Sequence, residues 1–193
     1  MTAATAEQQD SAEADAEATL LERVRDRDRR AFEMLYRAYH ARLWRFLHKL
    51  LRRPHLIEEV LNDAMFVVWS RLDTFDGRSR FSTWLFGIAY RQGLAALRRL
   101  DEPIDDERQD AIDYTAAPEV GAEAARVRRG LDAALATLSP THRAVVELTY
   151  FHEFGYREIA AIMGCPPDTV KTRMFHARRH LRAALSGEPD DWY

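Results

Sequence analysis

The segment from Tyr156 to Arg182, YREIAAIMGCPPDTVKTRMFHARRHLR, leaves the chain few ways to fold. A short amphipathic run is cut by a glycine and two prolines and resumes as a basic helix. A helix-turn-helix needs a small residue where the second helix crosses the first, and Ala160 stands there. Four positions on it needs a residue tolerant of left-handed backbone, which Gly164 supplies. It also needs an apolar residue on the second helix to close the small core, and Val170 is placed to face Ile159 and Met163. Pro166 and Pro167 lack the N–H that the first turn of a helix does not use, so the second helix is expected to begin near Pro167.

That second helix carries Lys171, Arg173, Arg178, Arg179 and Arg182 against one acid, Asp168. Thr169, Lys171, Thr172 and Arg173 lie in its first turns, the part that a recognition helix presents to the major groove. Arg and Lys pair with guanine edges, and Thr bonds a base edge or touches a thymine methyl. The later arginines, Arg178 among them, suit phosphates, which position without reading sequence. His176 and His180 are four apart and read as polar contacts on the DNA side; a metal pair would lack a third ligand nearby in sequence.

Net charge, −3, does not by itself suggest a polyanion partner, but its distribution does. Residues 1–22 hold six acids and no base, and residues 101–125 hold nine acids and one base, which leaves +11 on the rest of the chain. No apolar run approaches a membrane span, the N-terminus has no signal-peptide pattern, and one cysteine, Cys165, excludes an internal disulfide. A soluble, cytoplasmic protein is the simplest expectation.

Apolar residues recur at helical spacing from Phe32 to Leu50 (with Leu35, Tyr36, Tyr39, Leu43, Phe46 and Leu47), giving a long helix that ends before Pro54. A second helix has Ile57, Val60, Leu61, Ala64, Val67 and Val68 on one side and Glu58, Glu59, Asn62 and Asp63 on another. It stops near Asp76-Gly77, and RFSTWLFGIAYRQGLAALRRL follows as a third helix. Ser139-Pro140 reads as an N-cap followed by proline at the first helical position. Nothing reads as a strand. The expected architecture is all-α: an acidic disordered tail (1–25), a helical domain (26–100), an acidic flexible linker (101–128), a helix-turn-helix domain (129–186) and a short tail (187–193).

The C-terminal motif resembles region four of the extracytoplasmic-function sigma factors of bacterial RNA polymerase. EEVLNDAMFVVWSRLDTFDGRSRFSTWLFGIAYRQGLAALRR resembles their region two. The resemblance implies a non-enzymatic protein without cofactor, metal or catalytic residue. It implies binding to core polymerase (the β′ clamp coiled coil and the β subunit), to promoter DNA and to an anti-sigma factor, with no membrane insertion. Glu58, Glu59, Asn62 and Asp63 would meet core polymerase, and their acidic, polar face suits a basic partner. Phe75, Arg78, Arg80, Tyr90 and Arg91 would hold unstacked bases of the minus-ten element, where aromatics interleaved with arginines suit single-stranded DNA. Thr169, Lys171, Thr172, Arg173, His176 and Arg178 would read the minus-thirty-five duplex. The linker would thread toward the polymerase active site. Leu56, Asn62, Arg91, Gly155 and Asp168 stand where the family often has Asp, Gln, Asn, Ser or Thr, and Gly. The rival reading is a helix-turn-helix repressor or activator that is no polymerase subunit.

Overall fold

The computed structural model describes residues 15–100 and 122–185, which are helical apart from short turns and contain no strand. Helix α1 covers residues 15–25. It is followed by α2 (Arg29–Leu51), α3 (Pro54–Arg71), a 3₁₀ turn (Leu72–Thr74) and α4 (Phe81–Leu100). After the acidic segment come α5 (Ala122–Ala136), α6 (Pro140–Tyr150), α7 (Tyr156–Met163) and α8 (Pro167–Leu185).

Local chemistry sets these boundaries. Asp28 caps α2, its carboxylate accepting from the N–H groups of Arg30 and Ala31 at 2.9 and 3.2 Å. Arg23 donates to the same carboxylate at 2.6 Å and is the main reason the Asp28 carboxyl titrates below its ordinary range. The α2 helix ends at Arg52 in left-handed backbone, φ +52°, and Pro54 then opens α3 at a position needing no N–H donor. Ser139 caps α6 with Pro140 behind it, as expected.

Helices α2, α3 and α4 form the first unit. Leu35, Leu43, Phe46, Leu47, Leu50, Ile57, Leu61, Met65, Phe81, Leu85 and Phe86 are almost wholly withdrawn from water. Each such side chain contributes about 1.5–3 kcal/mol of transfer free energy. Helices α5–α8 form the second unit, closed by Leu148, Ile159, Ile162, Val170, Met174 and Ala177. The two units are packed together, α2 on α6 and α4 on α7.

Two expected boundaries move. The disordered tail (1–25) is helical from residue 15, because Leu21 and Val24 are buried against the first unit and Glu17 accepts a hydrogen bond from the Tyr39 hydroxyl. Residues 1–14 lie outside the described part, as do 101–121 of the linker and the tail from 186. The linker, expected to reach 128, gives way to α5 at Ala122, where AEAAR is rich in strong helix formers.

Candidate nucleic-acid interface

The helix-turn-helix has the expected steric plan. Gly164 is left-handed at φ +62°, and its N–H closes α7 on the carbonyls of Ala160 and Ala161. Val170 is fully buried, as are Ile159 and, nearly, Ala160 and Met163. On α8 the buried stripe Val170, Met174, Ala177 turns Lys171, Thr172, Arg178, Arg179 and Arg182 outward. Lys171 donates to Asp168 at 3.0 Å, and the Thr172 hydroxyl donates to the Asp168 carbonyl at 3.0 Å. Arg178 donates to the Tyr150 hydroxyl at 2.7 Å.

Thr169, Arg173 and His176 are only half exposed. Arg173 points back toward the Cys165 thiol, 3.6 Å away, on the side where Tyr90 of the first unit sits. His142 of α6 brings its ring to 6.3 Å from those of both His176 and His180. Burial, with His176 and His180 behind it, holds the His142 imidazole below its ordinary range. Among the described residues no group of three or more such side chains is arranged to hold a metal ion. Phe175 is 64% exposed within this basic face, and its place off the buried stripe is the one sequence signal of that exposure.

The first unit divides its candidate residues. Arg78, Arg80 and Arg91 are exposed. Phe75 and Tyr90 are not: they are 8% and 3% exposed. Phe75 packs between Phe81 and Trp84, with centroids 5.7 and 5.4 Å away, because the 3₁₀ turn folds the loop root inward. Tyr90 is buried because α7 covers the α4 face that periodicity alone leaves free. All of Leu85–Tyr90 is buried, which a segment apolar on every side permits. In this arrangement neither ring is available to a DNA base.

Glu58, Glu59, Asn62 and Asp63 all stand exposed along α3. Asn62 accepts from the Tyr36 hydroxyl at 3.0 Å, and Glu58 lies 3.8 Å from the His40 imidazole. Beside them Phe32, Tyr36, Met65, Phe66 and Trp69 line an apolar groove of about 450 Å³. Phe66 is 66% exposed and one turn beyond Asn62 and Asp63, a position that breaks the apolar stripe and was the missed signal.

The seam between the units is where the two sets of candidates meet. Glu158 closes α7, one carboxylate oxygen accepting from the Gly155 N–H at 3.0 Å. Its other oxygen accepts from the Thr83 hydroxyl at 3.2 Å and lies 3.8 Å from Arg80. The α4 backbone comes so near α7 at Gly87 that a Cβ there would lie 3.6 Å from the Ile162 backbone. His152 is set against Phe46 and Phe86, with centroids at 5.9 and 5.0 Å. Lys49 meets Asp132 at 2.6 Å.

Arg143 is buried in this seam with five N–H···O=C bonds. It reaches Leu135, Ala136 and Leu138 at 3.0, 3.1 and 2.6 Å, and Lys49 and Leu50 at 3.2 and 3.4 Å. One guanidinium thus serves orphan carbonyls at the C-terminal ends of α5 and α2, where the helix dipoles also favour a cation. Burial lowers its pKa to about 10, which leaves it charged.

Comparison with known proteins agrees with this two-unit plan. The model for sigma-70 region 2 matches residues 35–102, and that for sigma-70 region 4 matches residues 128–181. The extracytoplasmic-function RNA polymerase sigma factor RpoE of Cereibacter sphaeroides is 34% identical over 176 residues, covering 86% of this chain and 93% of that protein. The chain belongs to the extracytoplasmic-function sigma factors of RNA polymerase. The RNA polymerase sigma-H factor of Pseudomonas aeruginosa is 29% identical, covering 86% of this chain and 92% of the relative. Two solved structures share the sigma-factor fold. One is CnrH in complex with the cytosolic domain of CnrY (TM-score 0.66, 23% identity, 88% of this chain and 97% of that one). The other is RpoE with the anti-sigma factor NepR from Bartonella quintana (TM-score 0.63, 22% identity, 81% and 98%). As a sigma factor the chain is a transcription initiation factor, acting with core polymerase on promoter DNA. Among the described residues no helix is long and apolar enough to cross a membrane.

Proposed function

We propose that this sigma factor rests in a closed state and reads its promoter only after region two and region four separate. The observation that carries this reading is the seam itself. Arg80 and Thr83 of region two are engaged by Glu158 of the helix-turn-helix, and Arg173 of the reading helix turns toward region two. Elements named minus-ten and minus-thirty-five lie ~25 base pairs apart, about 85 Å of duplex at 3.4 Å per pair. A compact chain of this length has a radius of gyration of about 16 Å. The closed form is too small to occupy both elements.

In the open form, Lys171, Thr172 and Arg173 read the minus-thirty-five duplex and Arg178 meets phosphate, with His176 at the edge. Arg78, Arg80 and Arg91 hold the displaced minus-ten strand. The α3 face of Glu58, Glu59, Asn62 and Asp63, with Phe66 as an apolar anchor in its midst, docks on core polymerase. Relatives of the same fold are named in complexes with CnrY and NepR. A protein partner that holds the closed state, an anti-sigma factor, fits the same logic. The protein works without chemistry of its own, in the cytoplasm with the polymerase.

The test is run-off transcription with purified core polymerase on sheared genomic DNA, with and without the protein. Discrete starts that share two upstream elements are expected. Specific duplex binding without polymerase, and no new starts, would instead favour the repressor reading. Glu59→Arg with Asp63→Arg is expected to abolish core binding at unchanged helicity.

A further inference from the structure

The α1 helix and the turn after it do something that the acidic composition of the N-terminus does not suggest. Two arginines, Arg25 at the end of α1 and Arg27 in the turn, cross to the far end of α3 and the segment just beyond it. Arg25 donates from Nη2 to the Phe75 carbonyl at 3.0 Å, across fifty positions of sequence. Arg27 donates to the Trp69 carbonyl and lays its guanidinium 5.5 Å from the centre of the Trp69 ring. Arg27 itself is in left-handed backbone, φ +63°. The α1 helix is itself anchored by buried Leu21 and Val24.

The two carbonyls bracket the 3₁₀ turn and end where the exposed loop begins. Beyond Phe75 the loop's contacts are local, apart from Arg80, which lies 3.8 Å from Glu158 of α7 in the closed form. Asp76 accepts from the Arg78 N–H at 3.1 Å, Gly77 is left-handed with open space around it, and the Arg78 side chain is 89% exposed. The loop's direction is therefore set at its root, and the Phe75 carbonyl is part of that root.

We infer that Arg25 and Arg27 are positioning residues for promoter melting: they fix the root of the 76–80 loop so that Arg78 and Arg80 meet the displaced DNA strand pre-aligned. This rests on the proposed role of that loop in minus-ten binding. Neither arginine touches DNA in this account. They act through the backbone of residues 69–75, and preorganisation of this kind lowers the ordering cost of binding.

The experiment uses the full chain in complex with core polymerase. The probe is a single-stranded oligonucleotide carrying the minus-ten element of a promoter mapped by the run-off assay. Arg25→Ala with Arg27→Ala is expected to weaken that binding by about tenfold, the worth of a charge-assisted hydrogen bond. Core affinity, thermal midpoint and minus-thirty-five duplex binding are expected to stay within twofold or a few degrees. Arg25→Lys with Arg27→Lys, which keeps a donor at each carbonyl, is expected to restore most of the loss. If the alanine pair binds normally while Arg78→Ala does not, the loop reading stands and the inference is wrong. If Arg78→Ala also binds normally, the loop reading fails and takes the inference with it. A loss that tracks thermal stability and is not rescued by lysine would reduce the arginines to a folding role.

Discussion

The interior of region two and the seam between regions two and four are both buried, yet they are built from different materials. The α2–α4 interior is mostly aliphatic and aromatic; its few polar atoms include the Tyr39 hydroxyl, which Glu17 meets, and the Gln92 Oε1 of α4, buried without a partner. Of the five buried polar residues among those described, His48, Thr83, Arg143 and Glu147 lie on helices that meet at the seam, and His152 lies in the turn between α6 and α7. The Oε1 atom of Glu147 is buried without a hydrogen-bond partner, and burial raises its pKa to about 7. An apolar interior holds one structure permanently. A seam of desolvated polar groups holds only while every partner is in place, since one missing partner leaves the rest unsatisfied. The difference suits an interior that never opens beside an interface that does.

A core truncation and a seam truncation are expected to behave differently. Leu43→Ala, at a fully buried position, is expected to lower the unfolding free energy by about 2–5 kcal/mol in one cooperative transition, read by circular dichroism in urea. Arg143→Leu orphans carbonyls on α5 and α2 at about 1–3 kcal/mol each, fewer where water replaces the guanidinium. It is expected to split unfolding into two transitions, region four losing its support while region two melts near its normal midpoint. One transition for both variants would mean that the seam is simply more core.

Protonation acts on the seam and not on the apolar interior. Glu147, ordinarily near 4.5, is raised to about 7 by burial, so the closed form gains stability as pH falls from about 7 to 4.5 and loses it on the way back. His152, ordinarily near 6.5, is depressed to about 4 by burial, then by Arg42 and Arg45, so the closed form loses stability as pH falls from 6.5 to 4. The two slopes oppose each other between pH 4.5 and 6.5. Stability from this pair is expected to be nearly flat there. Glu147→Gln is expected to uncover a decline on acidification, and His152→Asn a rise, each approaching ~1.4 kcal/mol per pH unit. Parallel profiles for both variants would show that the seam groups do not titrate as placed. The smallest effect belongs to Lys49 and Asp132, partly exposed at 25% and 21%. A double-mutant cycle to alanine is expected to give a coupling of about 0.5–1 kcal/mol.

Region two and the helix-turn-helix were legible because local signals carry them: the Phe32–Leu50 periodicity, Ser139-Pro140, and the Ala160, Gly164 and Val170 spacing. The exposed polar face of α3 was legible for the same reason. What failed was long-range. Nothing near Tyr90 in sequence says that α7 will cover it, and Phe75 reads as a loop residue until Phe81 and Trp84 close on it. Residues 15–25 look like a solvated acidic tail because Leu21 and Val24 are too few to make a pattern. The helix's polar anchors, Glu17 to the Tyr39 hydroxyl and Arg25 to the Phe75 carbonyl, lie far along the chain. Nothing in the local sequence marks Arg143, since its five acceptors belong to three separate helix and turn segments.

Separation of the two regions is read directly by one distance. Spin labels at Ala38→Cys on α2 and Ala184→Cys on α8, both exposed positions, in a Cys165→Ser background would report it by pulsed electron resonance. The free protein is expected to give a single short distance within a compact globule, about 40 Å or less. With core polymerase and promoter DNA the distance is expected to lengthen toward the ~85 Å between the two elements. A short distance that persists in a transcribing complex would contradict the closed-to-open account outright.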